Sequence, residues 1–116
     1  MTDAKEDPLS KRKCQTVTGV TQPLPLEKMQ AYQLEISDWE LLAEAQPSLQ
    51  QTFVFRDFNE AMGFVQRVVL LAEKENHHPN IDIRYNMVKL ILYTHKISGL
   101  SENDFILAAK ISELVK

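Results

Sequence analysis

The stretch Glu73-Lys74-Glu75-Asn76-His77-His78-Pro79 places two of the chain's three histidines side by side at the exit of a helix-patterned run. Imidazole is the side chain whose ordinary pKa lies nearest neutrality, so adjacent histidines beside a carboxylate suggest proton transfer or ligand capture. The third, His95, lies at the end of a strand-like run, and a two-strand hairpin would bring it back beside the pair. A helix C-terminus also favours cations, by ~0.3–1 kcal/mol per charge and with no chemistry involved. Two histidines in succession, with Glu73 four residues before the first and Pro79 fixing the backbone after the second, favour a site over that plain reading. Asp104 alone would be the N3 residue of a helix cap, and His95 alone a hydrogen-bonded strand end. Together they supply two acid–base groups, a binding group and an orienting carboxylate, the set that an elimination or dehydration needs. No nucleophile elbow, phosphate loop or dinucleotide fingerprint competes with that chemistry. No metal is expected, because adjacent histidines diverge on regular structure and Cys14 has no CxxC partner.

These residues need elements to hold them. Residues 1–22 are polar and without period, which predicts a flexible N-terminal arm adding little to the core, ahead of one domain over 23–116. Pro23 and Pro25 stiffen the entry to a helix over 26–36 with a weak apolar stripe. Strands follow over 39–44 and 49–55, joined by a turn, with Leu49, Gln51, Phe53 and Phe55 on one face. Asp57 and Glu60 start the strongest helix, which runs to about Lys74 with Phe58, Met62, Val65, Val68, Val69 and Ala72 as its stripe, its terminal Glu73, Lys74 and Glu75 mostly facing solvent. Pro79 ends that register. A strand over 81–85, a turn at Asn86 and a strand over 87–95 come next, with His95 sharing a face with Lys89, Ile91 and Tyr93. Ser101 to Asp104 form a second capping box, and a helix from Phe105 closes the chain. The order α-β-β-α-β-β-α predicts an α+β fold: a four-stranded, mainly antiparallel sheet with the helices packed on one face. The other face stays partly open for self-association.

At 116 residues, 44% apolar and 25% charged, one modest core fits and a second domain does not. A net charge of −3 and a pI near 5.6 argue against a phosphate-neutralising nucleic-acid binder. The single cysteine forms no internal disulfide, and the N-terminus has no apolar stretch of signal or membrane-span length. Asp3, Glu6 and Asp7 break the acid-poor pattern of a transit peptide. A cytoplasmic protein is expected.

From Phe53 onward, Phe55-Arg56-Asp57-Phe58, Glu73-x-x-x-His77-His78-Pro79, Tyr85-Asn86, Thr94-His95 and Gly99 to Asp104 occur in an order and spacing that resemble the pterin-4a-carbinolamine dehydratase family, bacterial type. The resemblance implies the same fold, with a concave sheet and a homodimer or homotetramer. It implies loss of water from 4a-hydroxytetrahydropterin to give quinonoid dihydropterin, in tetrahydropterin recycling beside an aromatic amino acid hydroxylase. By the same resemblance, His77 and His95 act as general acid and base, and His78, next to Pro79, binds or orients the pterin. Asp104 and Glu73 support them, and no cofactor is needed. Two departures stand out. Asn80-Ile81-Asp82 follows the His-His-Pro motif where many animal members carry a tryptophan, and Val17 stands where a bacterial N-terminal extension often has a second cysteine after Cys14. The resemblance also covers a rival role, that of a transcription coactivator or a carboxylase assembly factor without catalysis. Such assembly factors tend to lose the histidine set, which this chain keeps.

Overall fold

The computed structural model describes residues 7–116, so the first six residues of the expected arm, Asp3 and Glu6 among them, lie outside the described part. Its elements are α1 (Leu26–Gln33), β1 (Glu40–Leu42), β2 (Ser48–Val54), α2 (Phe58–Glu75), β3 (Asn80–Arg84), β4 (Met87–Leu92) and α3 (Glu102–Glu113). Single 3-10 turns occupy Leu9–Lys11, Leu34–Ile36 and His95–Ile97. The fold is α+β, in the order the sequence predicts, and among the described residues no helix is long and apolar enough to cross a membrane.

The four strands form one antiparallel sheet in the order β1-β2-β4-β3. Strand alternation sends Leu49, Phe53, Val88, Leu90 and Leu92 into the core, while Thr52, Lys89 and Asp82 form a cross-strand row on the open face. Helix α2 starts where Asp57 accepts a hydrogen bond from the Glu60 amide at 2.8 Å, as its sequence signature requires. The helical period holds, but the buried face is Ala61, Phe64, Val68, Ala72 and Glu75, whereas Phe58 and Val69 are exposed. Phe64 sets this phase by packing at 4.7 Å from the Phe53 ring and 5.0 Å from Phe55. The phase also carries Glu75 inward, against its expected place on a solvated face.

Two further expectations change. Strand β4 ends at Leu92, so His95 lies in a 3-10 turn and not on a strand face with Lys89 and Ile91. The cause lies in Thr94 and Gly99, which pair across the intervening loop, the Thr94 amide donating to the Gly99 carbonyl at 2.8 Å. A Cβ at Gly99 would come within 3.1 Å of the Pro23 side chain, a tight contact that a larger residue could make only if Pro23 gave way. The described part of the N-terminal arm also packs, with Leu9 wholly buried in the core. Helix α3 buries Phe105, Ile106, Leu107, Ala108 and Ala109, residues that point in all directions around its axis, so one sheet face cannot cover it alone. The turn at Leu9–Lys11 packs against α3 and supplies the missing cover.

Candidate active site

Helix α2 delivers the two neighbouring histidines by ending abruptly. Asn76 adopts the left-handed conformation (φ 54°) and its amide returns to the carbonyls of Ala72 and Glu73. The His77 amide also donates to Ala72 O at 3.1 Å. The chain therefore turns sharply over two residues, and His77 and His78 leave in different directions, each toward its own carboxylate.

His77 points inward. Its Nε2 lies 2.6 Å from Oδ1 of Asp104, and its side chain is only 11% exposed. Asp104 is fully buried, and its second oxygen accepts from the Thr94 hydroxyl at 2.7 Å and the Ser101 amide at 2.9 Å. The Thr94 and Ser101 hydroxyls in turn lie 2.8 Å apart. A buried carboxylate is tolerable only when its lone pairs are taken up, and here they are. The capping box that starts α3 thus doubles as the support for a histidine. With Nε2 committed to Asp104, the neutral ring carries its proton there and leaves Nδ1 as an acceptor.

His78 points outward. Its Nε2 lies 2.6 Å from Glu73 Oε2, with the two side chains 53% and 71% exposed. His95 comes from the turn after β4, its ring centroid 4.4 Å from that of Tyr93 and its Nδ1 3.3 Å from the Tyr93 hydroxyl. All three histidines line one open pocket of about 380 Å³, together with Thr94, Lys96, Glu75, Asn103 and the segment Cys14 to Val17. Of the residues expected from sequence, Glu73 and Asp104 stand behind histidines, and Pro79 does not line the pocket.

Sequence reasoning missed the Thr94 hydroxyl that bonds the Asp104 carboxylate, and the lining residues Glu75, Asn103 and Cys14 to Val17. Thr94 was visible beside His95 in one motif, but its bond to Asp104 depends on how two elements meet. Glu75 and Asn103 are both buried; Glu75 accepts the Cys14 amide at 3.0 Å and lies 3.8 Å from Lys110 Nζ. Burial, followed by the nearby negative charge of Glu75, pushes the Cys14 thiol up to about 12.

A family model described as pterin 4 alpha carbinolamine dehydratase matches residues 22–114. The chain belongs to this family. A relative from Rubrobacter xylanophilus, carrying the name "Putative pterin-4-alpha-carbinolamine dehydratase", is 39% identical over 91% of this chain and 97% of its own. One of the same name from Thermomicrobium roseum is 51% identical over 69% and 83%. A crystal structure of a transcriptional coactivator/pterin dehydratase from Brucella melitensis superposes with a TM-score of 0.76 at 29% identity, covering 82% of this chain and all of that one. A pterin dehydratase-like protein described as a RuBisCO assembly factor in the alpha-carboxysome shares the fold, with a TM-score of 0.58 at 24% identity over 66% of this chain and 88% of its own. For this member of the dehydratase family, the match covers every histidine of the pocket and Asp104, but it starts at residue 22 and so leaves out the wall from Cys14 to Val17.

Proposed function

We propose that this chain dehydrates 4a-hydroxytetrahydropterin to quinonoid dihydropterin and water, as a step of tetrahydropterin recycling. The carrying observation is the His77–Asp104 pair, in which a buried carboxylate orients the imidazole of a pocket-lining histidine through its Nε2. His77 Nδ1 takes the N5 proton, the N5–H electron pair becomes the N5=C4a double bond, and the C4a–O bond breaks. Protonated His95 gives its proton to the departing hydroxyl, which leaves as water. The two histidines end with exchanged charges, and proton exchange with solvent resets them. His78, held by Glu73 at the pocket's exposed side, binds the pterin. The reaction needs neither a metal nor an organic cofactor, since positioned acid–base groups alone contribute ~10²–10⁴-fold. The name and family of the relatives support the same activity.

The rival reading, a non-catalytic coactivator-like or assembly role, shares the fold. The retained histidines and the satisfied Asp104 network favour catalysis, because a purely binding surface has no use for an oriented buried imidazole. A homodimer or homotetramer, using the open sheet face or the free β3 edge, belongs to the same proposal; light scattering on the eluted protein reads it.

The test is the rate at which freshly generated 4a-hydroxytetrahydropterin dehydrates, followed by absorbance. Acceleration by wild-type protein that falls by about 10²-fold or more in His77→Ala and in His95→Ala is the expected result. Folded wild-type protein that gives no acceleration sinks the proposal.

A further inference from the structure

The three histidines of the pocket differ in what holds them. His77 and His78 each meet a carboxylate, whereas among the described residues His95 meets none, and it occupies an exposed position in the turn after β4. Its ring lies instead against Tyr93. The two ring centroids are 4.4 Å apart with their planes at 51°, and the Tyr93 hydroxyl is 3.3 Å from His95 Nδ1. Residues two apart in a continuing strand share a face with about 6.6 Å between them. Because β4 stops at Leu92, the turn at His95–Ile97 folds the imidazole back onto the tyrosine.

Tyr93 is itself anchored. It is half-buried, packs against the hydrophobic core and does not line the pocket. The backbone on its other side is closed by the Thr94–Gly99 bridge and by the Ser98 amide, which donates to the His95 carbonyl at 3.1 Å. With the backbone set, the freedom left to His95 is the rotation of its side chain, and the tyrosine restrains it. A hydroxyl can accept from a ring N–H or donate to a bare ring nitrogen. It therefore orients the imidazole without placing a negative charge beside it, as Asp104 does at His77. His95 Nε2 has no partner among the described residues.

We propose that Tyr93 is a positioning residue for the dehydration: it holds His95 by Nδ1, so that Nε2 is the nitrogen that hands its proton to the departing hydroxyl. The inference rests on the dehydratase reading. In the charged ring both nitrogens carry a proton, and Nδ1–H donates to the Tyr93 oxygen. As the C4a–O bond breaks, its electron pair takes the Nε2 proton, and the N–H pair stays on Nε2. The ring is left neutral with its remaining proton on Nδ1, still donated to Tyr93, which neither gains nor loses a proton. Solvent then recharges Nε2. Aiming a donor in this way counts most where the side chain is otherwise exposed and would occupy other rotamers. In an enzyme at rest such a bond is often long, and it tightens when substrate is bound.

The experiment measures steady-state dehydration of 4a-hydroxytetrahydropterin by wild type, Tyr93→Phe and Tyr93→Leu. Alongside it, the imidazole nitrogen resonances of His95 are recorded in protein carrying isotope-labelled histidine, assigned by their loss in His95→Ala. Tyr93→Phe keeps a ring packed on the core and removes only the hydroxyl. Its melting temperature and KM are expected to match wild type while kcat falls about tenfold; Tyr93→Leu, without the ring, loses about 10²-fold in kcat. An unchanged kcat in Tyr93→Phe overturns the proposal. A kcat loss that comes with a lowered melting temperature or an equal rise in KM, as a merely structural role would produce, overturns it too. The resonances separate this inference from the reading beneath it. Where His95 is neutral, wild type should carry the ring proton on Nδ1, and Tyr93→Phe should move it toward Nε2. A wild-type proton on Nε2, or a tautomer that Tyr93→Phe leaves unchanged, overturns the proposal and leaves the dehydratase reading to the wild-type rate. If folded wild type gives no acceleration, that reading fails, and a tautomer set by Tyr93 would still support the held ring.

Discussion

Two histidine–carboxylate pairs of the same length, 2.6 Å, stand at one pocket and share little else. In His77–Asp104 the carboxylate is fully buried and holds a hydroxyl and a backbone amide as well as the imidazole. In His78–Glu73 both partners lie mostly in water. The energy of a charge pair depends on its dielectric surroundings as much as on its separation, and an exposed pair contributes only ~0.2–1 kcal/mol. A buried one contributes direction, since its geometry cannot relax without leaving polar atoms unpaired. Equal distances therefore conceal unequal roles. Asp104 fixes which nitrogen of His77 is free, whereas water can replace Glu73.

The largest expected effect comes from deleting the buried carboxylate. Asp104→Ala strands His77, Thr94 and the Ser101 amide, so urea denaturation should show a loss of about 3 kcal/mol alongside lost activity. Asp104→Asn separates the two consequences. The amide is nearly isosteric and can still accept from Ser101, but its NH2 faces His77 Nε2 and moves the ring proton to Nδ1. Dehydration should fall by about 10²-fold while the folded state survives. Near-wild-type activity in Asp104→Asn would break the claim that this pair fixes a tautomer.

Glu73→Gln is the matched change on the open side. A rate within about threefold of wild type and a stability change below ~1 kcal/mol are expected, with the difference shrinking further in 1 M salt. A loss in Glu73→Gln as large as that in Asp104→Asn would show that burial does not separate the two pairs, and that His78 needs a fixed partner too.

How much of this was legible in the sequence follows the same division between local and long-range causes. The start of helix α2 was readable because Asp57 and Glu60 act within a few residues, whereas its stop is made by the left-handed Asn76, three residues before the Pro79 that the sequence pointed to. The α3 capping box was readable for the same reason, and Asp104 with it. Strand β4 was read three residues too long, because Thr94 is drawn out of the ladder by Asp104 and by Gly99, neither of which is a neighbour in its pattern. Leu9 was invisible as a core residue, being one apolar side chain in a polar arm. The signal that could have found it lies in α3, whose run Phe105-Ile106-Leu107-Ala108-Ala109 is apolar on every side and demands cover from a further segment. The pocket wall from Cys14 to Val17 follows from that cover, and no local pattern announces it.

The smallest effect probes the closed side of the pocket without altering the histidines. Burial first, then Glu75, with a further contribution from Asp104, raises the Cys14 thiol from its ordinary 9.0 to about 12. Alkylating agents attack the thiolate, so in mildly alkaline buffer iodoacetamide should modify the folded protein about 10³-fold more slowly than the denatured chain. The sign for stability follows from the same shift. Below pH 9.0 the thiol is neutral in both states and costs nothing; as the pH climbs from 9.0 toward about 12 the unfolded chain ionises Cys14 and the folded chain resists, so stability falls across that window. Cys14→Ala should lack this component of the alkaline loss while keeping its stability at neutral pH within about 1 kcal/mol of wild type. Alkylation at the denatured rate in native buffer would mean that the wall opens freely, and the contrast between a closed and an open side of the site would then rest on His77 and Asp104 alone.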